Sequence, residues 1–132
     1  MFSHDKRSPS KAVKTELLFL EALAKRCPDN DRVLRPLGDL YTAAGRFKDG
    51  LLVDQQLVGL CPQEPEVWYN LSCSLALVGD VEAAIEALNS AVDRGYCDGE
   101  WMVDDEDLAS LHGDPRFKAI VERLTPTTPS NK

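Results

Sequence analysis

A chain of 132 residues, of which 43% are hydrophobic and 28% are charged, has the composition of a folded globular protein and not of a disordered one. Its length favours a single domain with its own core. The formal net charge of -7 repels phosphate backbones, and no apolar run approaches the length of a membrane span, so we expect neither nucleic acid nor a membrane as a partner.

Charge is distributed unevenly along the chain. Basic residues crowd the N-terminus from Lys6 to Lys14, whereas the charged residues between Asp98 and Asp107 are all acidic. These two regions can attract each other within one molecule or between molecules. The basic start is not followed by a hydrophobic signal region, so we expect a cytoplasmic protein.

The first predicted helix follows a polar and basic segment, residues 1–10, which we expect to be a flexible tail. Ser10 is suited to cap a helix over residues 11–26. Apolar residues three and four positions apart give this helix one face to bury, so residues 11–27 are predicted to form an N-terminal capping helix. The apolar residues are Val13, Leu17, Leu20, Leu23 and Ala24.

An internal repeat with a period of 34 residues follows. Pro28 and Pro62 are separated by this distance, and each follows a cysteine at the end of an apolar stretch. Such a register predicts two copies of one supersecondary unit. The other pairs with the same spacing are Leu34 with Trp68, Leu37 with Leu71, Gly45 with Gly79, Phe47 with Val81, Leu51 with Ile85 and Val58 with Val92.

Each copy contains two predicted helices joined at a glycine. Asn30 and Asp80 are suited to helix N-caps, because a short polar side chain can accept from first-turn amides. Gly45, Gly79 and Gly95 are suited to helix ends, where a left-handed residue is favoured. The predicted helices cover residues 32–44, 47–60, 66–78 and 81–94.

These residues resemble the tetratricopeptide-repeat family, whose pattern runs from an apolar or aromatic residue through Leu-Gly, Tyr, a turn Gly and Ala to a final Pro. The resemblance implies an all-α fold: a right-handed superhelical stack of antiparallel helical hairpins, with a capping helix at each end. The N-terminal helix would then be half of a repeat. Residues 31–64 match at Leu34, Leu37, Gly38, Tyr41, Gly45, Phe47, Leu51 and Pro62, and residues 65–98 match at Trp68, Leu71, Gly79, Ala84, Ile85 and Ala91.

Several positions depart from the family pattern. In the second repeat, Ser72 replaces the packing Gly, Leu75 the Tyr and Tyr96 the final Pro. In the first repeat, Gly50 replaces an Ala, which costs about 1 kcal/mol of helix propensity. Asp54 stands where the second helix normally faces the core, and the sequence offers no explanation for it.

Residues 99–124 do not fit a third repeat, because Asp105 and Glu106 stand where Leu-Gly is expected. They resemble the terminal segment that closes some bacterial repeat arrays. This resemblance implies C-terminal capping helices. The matching residues are Gly95, Tyr96, Asp107, Leu108, Leu111, Asp114, Pro115, Arg116 and Phe117.

The last helix is predicted to begin after Asp114, a suitable N-cap, with Pro115 at its first position. Residues 125–132 are polar and interrupted by proline, so we expect a disordered tail. The apolar face of the last helix consists of Phe117, Ile120, Val121 and Leu124, and we expect Trp101, Leu108 and Leu111 to pack beneath it.

In the family, successive first helices line a concave groove that binds an extended peptide or a helix of a partner. Here an apolar patch around Tyr69, flanked by Arg32 and Arg35, suits a peptide with a hydrophobic anchor and an acid. Asp39 and the lack of a third such helix argue against a carboxylate clamp. The candidate contacts are Arg32, Arg35, Asp39, Thr42, Ala43, Glu66, Tyr69, Asn70, Cys73 and Leu77.

Neither catalysis nor a cofactor is predicted. The four cysteines form no C-x-x-C pair, so no metal is assigned. Cys73 is the only candidate nucleophile, and no His stands on a neighbouring predicted helix. The acidic run lacks the alternating ligands and central Gly of a calcium loop.

The resulting function hypothesis is a non-catalytic scaffold or adaptor that binds a protein or peptide. Two alternatives stay open: a homo-oligomeric structural protein, and a small acidic chaperone of the kind used in secretion.

Overall fold

The computed structural model describes residues 10–125, and within this range the chain is helical and has no strand. The tails predicted over residues 1–10 and 125–132 therefore lie outside the described residues, except for Ser10 and Thr125. The helices are α1 (Lys11–Arg26), α2 (Asp31–Ala43), α3 (Phe47–Leu60), α4 (Pro65–Leu77), α5 (Val81–Asp93), α6 (Gly99–Asp104), the 3-10 helix η1 (Glu106–Leu111) and α7 (Pro115–Leu124).

The predicted all-α class is confirmed for these residues. Contacts within the chain divide it into two compact units, one ending at Leu60 and the other beginning at Cys61. In the N-terminal unit, α2 packs against both α1 and α3. In the C-terminal unit, α4 pairs with α5, η1 packs against both of these helices, and α7 packs against α5 and α6.

The two hairpin turns repeat one hydrogen-bond pattern. In the first turn the amide of Gly45 donates to the carbonyl of Thr42, and the amide of Arg46 donates to the carbonyl of Tyr41. In the second turn the corresponding bonds run from Gly79 to Ala76 and from Asp80 to Leu75, each residue standing 34 positions later. The glycines have φ values of 79° and 92°, a conformation that other residues rarely adopt. The 34-residue period is thus repeated in the backbone.

The predicted N-caps are confirmed. The side chains of Ser10, Asn30 and Asp80 each accept a hydrogen bond from an amide in the first turn of the following helix. Asp114 does the same for α7, and hydrogen bonds from the side chain and backbone of Arg116 lower the pKa of Asp114 to about 2. This cap therefore stays ionised throughout the physiological range.

Helix α1 packs against α2. Leu17 and Leu20 of α1 are buried, as are Leu34 and Leu37 of α2. The hydroxyl of Tyr41 donates to Glu21 on α1, and burial together with this bond raises the pKa of Tyr41 to about 12. Polar and apolar contacts therefore hold α1 in place.

The guanidinium of Arg46 completes this arrangement. It lies 4.7 Å above the ring of Tyr41 and 3.7 Å from the carboxylate of Glu21. It also donates to Asp49 at 2.8 Å. The turn between α2 and α3 is thus tied to α1 through one cation.

The core of the C-terminal unit depends on α6, η1 and α7 as much as on its hairpin. Met102, Leu108 and Leu111 are fully buried, together with Leu88 of α5. Ser72, which replaces the packing Gly of the resemblance, is also fully buried. Its hydroxyl donates to the carbonyl of Ala84 at 2.7 Å, so the substitution joins α4 to α5.

One predicted core residue is exposed. The expectation that Trp101 packs with Leu108 and Leu111 is wrong for Trp101, whose relative exposure is 58%. Helix α6 has only six residues and buries a single side chain, Met102, which is fully enclosed. Since neighbouring positions on a helix point about 100° apart, Trp101 is turned away from the side that Met102 buries.

Two glycines allow α2 and α3 to approach closely. A Cβ atom on Gly38 would lie 3.2 Å from Cγ1 of Val53 and 3.3 Å from Oδ1 of Asp54. A Cβ atom on Gly50 would lie 3.0 Å from Oγ1 of Thr42. Asp54, which the sequence left unexplained, is therefore a buried residue that packs against the glycine of the facing helix.

We predict opposite effects for two glycine-to-alanine substitutions in this unit. Gly59→Ala, which meets no atom within 4 Å, should raise the free energy of unfolding by up to about 1 kcal/mol through helix propensity. Gly38→Ala should lower it by about 1 kcal/mol, because overpacking exceeds that gain. Denaturant unfolding of both variants measures the difference, and a stabilised Gly38→Ala variant would contradict the close packing.

No helix among residues 10–125 has both the length and the apolar composition needed to cross a membrane.

Candidate functional site

The predicted binding residues belong to both units. Five of them lie on α2 in the N-terminal unit, and the other five lie on α4 in the C-terminal unit. On α2 they are Arg32, Arg35, Asp39, Thr42 and Ala43, and on α4 they are Glu66, Tyr69, Asn70, Cys73 and Leu77.

The residues on α2 form a polar face. Arg32 and Asp39 are exposed, whereas Arg35 and Thr42 are half-buried. The guanidinium of Arg35 donates to Asp31 at 3.1 Å, one turn earlier on the same helix. Although Asp39 reaches solvent, desolvation of its carboxylate by neighbouring atoms raises its pKa above its ordinary value. This face carries charges of both signs.

The residues on α4 are divided between solvent and the interior. Glu66 and Asn70 are exposed, and Leu77 is half-buried. Tyr69 and Cys73, expected to contact a partner, are instead buried within the C-terminal unit, where η1 packs against α4. The face of α4 that the resemblance assigns to a ligand is therefore partly covered by the protein's own C-terminal segment.

Asp105 links η1 to α4. Its carboxylate accepts from the hydroxyl of Tyr69 at 2.6 Å and lies 3.8 Å from Sγ of Cys73. The same carboxylate caps η1 by accepting from the amide of Asp107 at 3.0 Å. Further along η1, the hydroxyl of Ser110 donates to the carbonyl of Ala76 at 3.4 Å. We call the contacts of Asp105 with Tyr69 and Cys73 the Asp105 latch.

Tyr96 supports the latch from the end of α5. Its ring stacks on the ring of Tyr69, with centroids 4.4 Å apart and planes inclined by 7°. Burial, followed by the hydrogen bond to Asp105, raises the pKa of Tyr69. Burial also raises the pKa of Tyr96 to about 12. Both phenols are therefore neutral at physiological pH, and the hydroxyl of Tyr69 donates to Asp105.

Cys73, Asp105 and Asp107 are close enough to be considered as metal ligands. One possible ligand atom from each residue lies within 4.8 Å of those of the other two. However, the carboxylate of Asp105 already accepts from a phenol and an amide, so hydrogen bonding accounts for its position. We assign these residues to the latch and its cap.

The latch offers no arrangement for nucleophilic catalysis. Cys73 is buried, and its near neighbour is a carboxylate, which disfavours the thiolate that a nucleophile requires. His112 lies elsewhere in the unit, with its ring centroid 5.0 Å from that of Phe117. The chemistry of this region is that of a structural hydrogen-bond network.

Sequence reasoning missed the latch, although it noted two of its members. Tyr96 stood out because it replaced a proline, and Asp105 because it stood where a leucine was expected. Tyr96 lies 27 positions after Tyr69 and Asp105 lies 36 positions after it, so only the tertiary fold brings the three residues together. Positions that break a repeat at its end were the available signal.

Comparisons with known proteins leave the family open. No protein-family model matches the chain, and no curated protein matches it. The resemblance to tetratricopeptide repeats thus depends on the residues quoted above.

We predict that Tyr69→Phe destabilises the protein. The substitution keeps the ring against Tyr96 but removes a donor from a partly buried carboxylate, so the free energy of unfolding should fall by about 1.5 to 3 kcal/mol. A double-mutant cycle with Asp105→Ala, measured by denaturant unfolding, isolates the contact. Strictly additive losses in the cycle would mean that the two side chains do not interact.

A second prediction concerns alkaline pH. The chain has three tyrosines, and folding raises the pKa of each: Tyr41, Tyr69 and Tyr96. A raised pKa contributes stability that is fully present below the unfolded value of about 10 and is lost as pH rises through the folded value. We therefore expect unfolding, not local titration, as pH rises from about 10 towards 12.

Phenolate absorbance and helical circular dichroism, followed together, test this expectation. The two signals should change in one transition, whereas all tyrosines of the urea-unfolded chain should titrate near a pH of about 10. Phenolate that forms reversibly near this pH while the helical signal stays constant would contradict it.

Proposed function

We propose that this protein is a non-catalytic adaptor that binds an extended segment of a partner polypeptide on the outer face of α2. The contacts would be Arg32, Arg35, Asp39 and Thr42. In this proposal the chain is a short array of the tetratricopeptide type, and its hairpins stack as the superhelix of that family.

Repetition of the hairpin supports the architectural part of the proposal. The turns at Gly45 and Gly79 share their hydrogen bonds at a spacing of 34 residues, and each hairpin packs one helix against the next. Each hairpin also packs against further helices of its own unit: α1 contacts α2, and η1 contacts α4 and α5. Such additional helices are what the capping of a repeat array requires.

The observation that carries the binding role is the exposure of the α2 face. Helix α2 packs against both α1 and α3, yet Arg32 and Asp39 remain exposed, and Arg35 and Thr42 are half-buried. On α4, by contrast, η1 covers Tyr69 and Cys73. Binding would therefore concentrate on the first of the two predicted helices.

The charges on this face suggest the chemistry of the partner segment. Arg32 and Arg35 suit a carboxylate, whereas Asp39 suits a cation or a hydroxyl group about one turn away. An extended peptide with an acidic residue and a polar residue fits this order. Because Arg35 already bonds to Asp31, Arg32 would be the stronger contact of the two.

One of the two alternatives from the sequence, the acidic chaperone, would use the same kind of surface as an adaptor. An acidic chaperone used in secretion would differ from an adaptor only in the fate of its partner. Self-assembly, the other alternative, would instead require two faces of the chain that fit each other.

Site-specific photo-cross-linking tests the α2 face. A photoreactive residue at position 39 on α2 should capture a partner protein from the native source, and Arg32→Ala should reduce the yield several-fold. The same residue at position 86, exposed on α5, provides the matched control. Equal capture from both positions, or capture that is insensitive to Arg32→Ala, would remove the α2 face from consideration.

A further inference from the structure

The outer face of α1 is apolar and basic. Leu18 and Phe19 are 67% and 62% exposed, although both are large hydrophobic residues in the middle of a helix of 16 residues. Isolated exposed hydrophobic residues are common on protein surfaces, but adjacent ones rimmed by charge mark an interaction surface. We define the α1 outer face by its exposed residues Lys11, Ala12, Lys14, Thr15, Glu16, Leu18, Phe19, Ala22, Lys25 and Arg26, of which four are cations and one is an acid.

Helical geometry brings the charges of this face next to its apolar residues. Lys14, Leu18 and Lys25 are four and seven positions apart, so they share one stripe. Phe19 and Arg26 are separated by seven positions and share another. Phe19 also lines a shallow surface depression with Lys11, Ala12, Thr15 and Glu16. The exposed aromatic ring therefore has both a cation, Lys11, and an acid, Glu16, beside it.

The acid at position 21 does not neutralise these cations. Glu21 is directed inward, where it accepts from Tyr41 and lies 3.7 Å from Arg46. The acid at position 16 borders the depression beside Phe19. The stripe that joins Lys14 with Lys25 is therefore uniformly basic.

The outer face of α6 has the opposite charge. Trp101 and Val103 are 58% and 49% exposed, and Met102 between them is buried. Glu100 and Asp104, four positions apart, are both exposed and share a stripe that lies between Trp101 and Val103. We define these four residues as the α6 outer face.

Charge in the surrounding segment strengthens this contrast. All the charged residues from Asp98 to Asp107 are acidic. Two further exposed acids, Asp98 and Glu106, flank the α6 outer face in sequence. This surface is thus acidic at its centre and at its borders.

We infer that the α1 outer face of one copy docks on the α6 outer face of a second copy. The two faces match in kind: each places two exposed hydrophobic residues beside a stripe of charges of one sign, which is basic at Lys14 and Lys25 and acidic at Glu100 and Asp104. Lys14 and Lys25 would meet Glu100 and Asp104, while the rings of Phe19 and Trp101 leave water.

This contact is heterologous, because two different faces of the chain meet. Each copy in a pair would retain one unoccupied α1 outer face and one unoccupied α6 outer face. The contact therefore propagates into larger complexes or closes into a ring, according to the rotation between neighbouring copies. The inference is independent of the adaptor proposal, because it uses neither Arg32 nor the rest of the α2 face.

Reciprocal charge reversal tests the contact. The first variant, Lys14→Glu with Lys25→Glu, makes the stripe that joins positions 14 and 25 acidic. The second, Glu100→Lys with Asp104→Lys, makes the α6 outer face basic. Each variant alone opposes like charges, so its self-association should be at least about tenfold weaker than that of the unchanged protein. An equimolar mixture should associate again, because opposite charges then meet across each contact.

Sedimentation velocity over a concentration series measures all four samples. Two control variants carry the same changes in net charge at exposed positions of other helices, and both should associate as the unchanged protein does. Circular dichroism should confirm an intact fold for every variant. The controls are Lys48→Glu with Lys118→Glu, and Glu86→Lys with Glu122→Lys.

Two outcomes would overturn the inference. One is an unchanged protein that stays monomeric throughout the concentration series. The other is a mixture of the two variants that fails to recover association although both variants are folded. Binding to vesicles that contain an anionic lipid distinguishes a membrane from a second copy. If the protein is monomeric, binds these vesicles, and loses this binding on Lys14→Glu with Lys25→Glu, the α1 outer face binds a membrane instead. None of these results affects cross-linking from position 39, which reports on the α2 face.

Discussion

A two-helix hairpin buries only one face of each helix, and the rest of this structure depends on how the remaining apolar surface is covered. In the N-terminal unit, α1 supplies the cover and is held by the bond between Tyr41 and Glu21. In the C-terminal unit the cover is η1, which Asp105 fastens to Tyr69 on α4. Each unit thus combines a hairpin with a third element, and a buried tyrosine hydroxyl bonded to a carboxylate sets the position of that element.

This covering restricts where a partner can bind. Because η1 packs on the face of α4 that carries Tyr69 and Cys73, a ligand could reach those residues only by displacing the Asp105 latch. Displacement would leave a phenol and a carboxylate without their bond, at a cost of about 1 to 3 kcal/mol for each unsatisfied group. A partner that binds the open face of α2 meets no such cost. The same principle, that buried polar groups resist separation, therefore stabilises the packing of η1 on α4 and favours the α2 face in the proposed adaptor role.

Features decided by local chemistry were predictable from the sequence. Caps such as Asn30 and turn glycines such as Gly45 act within a few residues, so the helix bounds agree closely with expectation. Features decided by tertiary contacts were not. Trp101 is large and apolar, as core residues are, but the six-residue helix α6 buries only Met102. Tyr69 was assigned to the candidate site because the repeat register fixes which way a side chain points and does not report what covers it.

Covering elements create outer faces of their own, and these are the surfaces on which the chain can evolve contacts without disturbing its cores. An interior position on α1, such as Leu17, is constrained by packing, whereas Leu18 and Phe19 are not, so exposed hydrophobic residues there need another explanation. Two copies with a net charge of -7 each repel at long range, which makes a local match of opposite charges necessary for any contact between them. The basic α1 outer face and the acidic α6 outer face provide that match. In the proposed contact between copies, the uneven charge distribution of the chain would permit one orientation of neighbouring copies and disfavour contacts between identical faces.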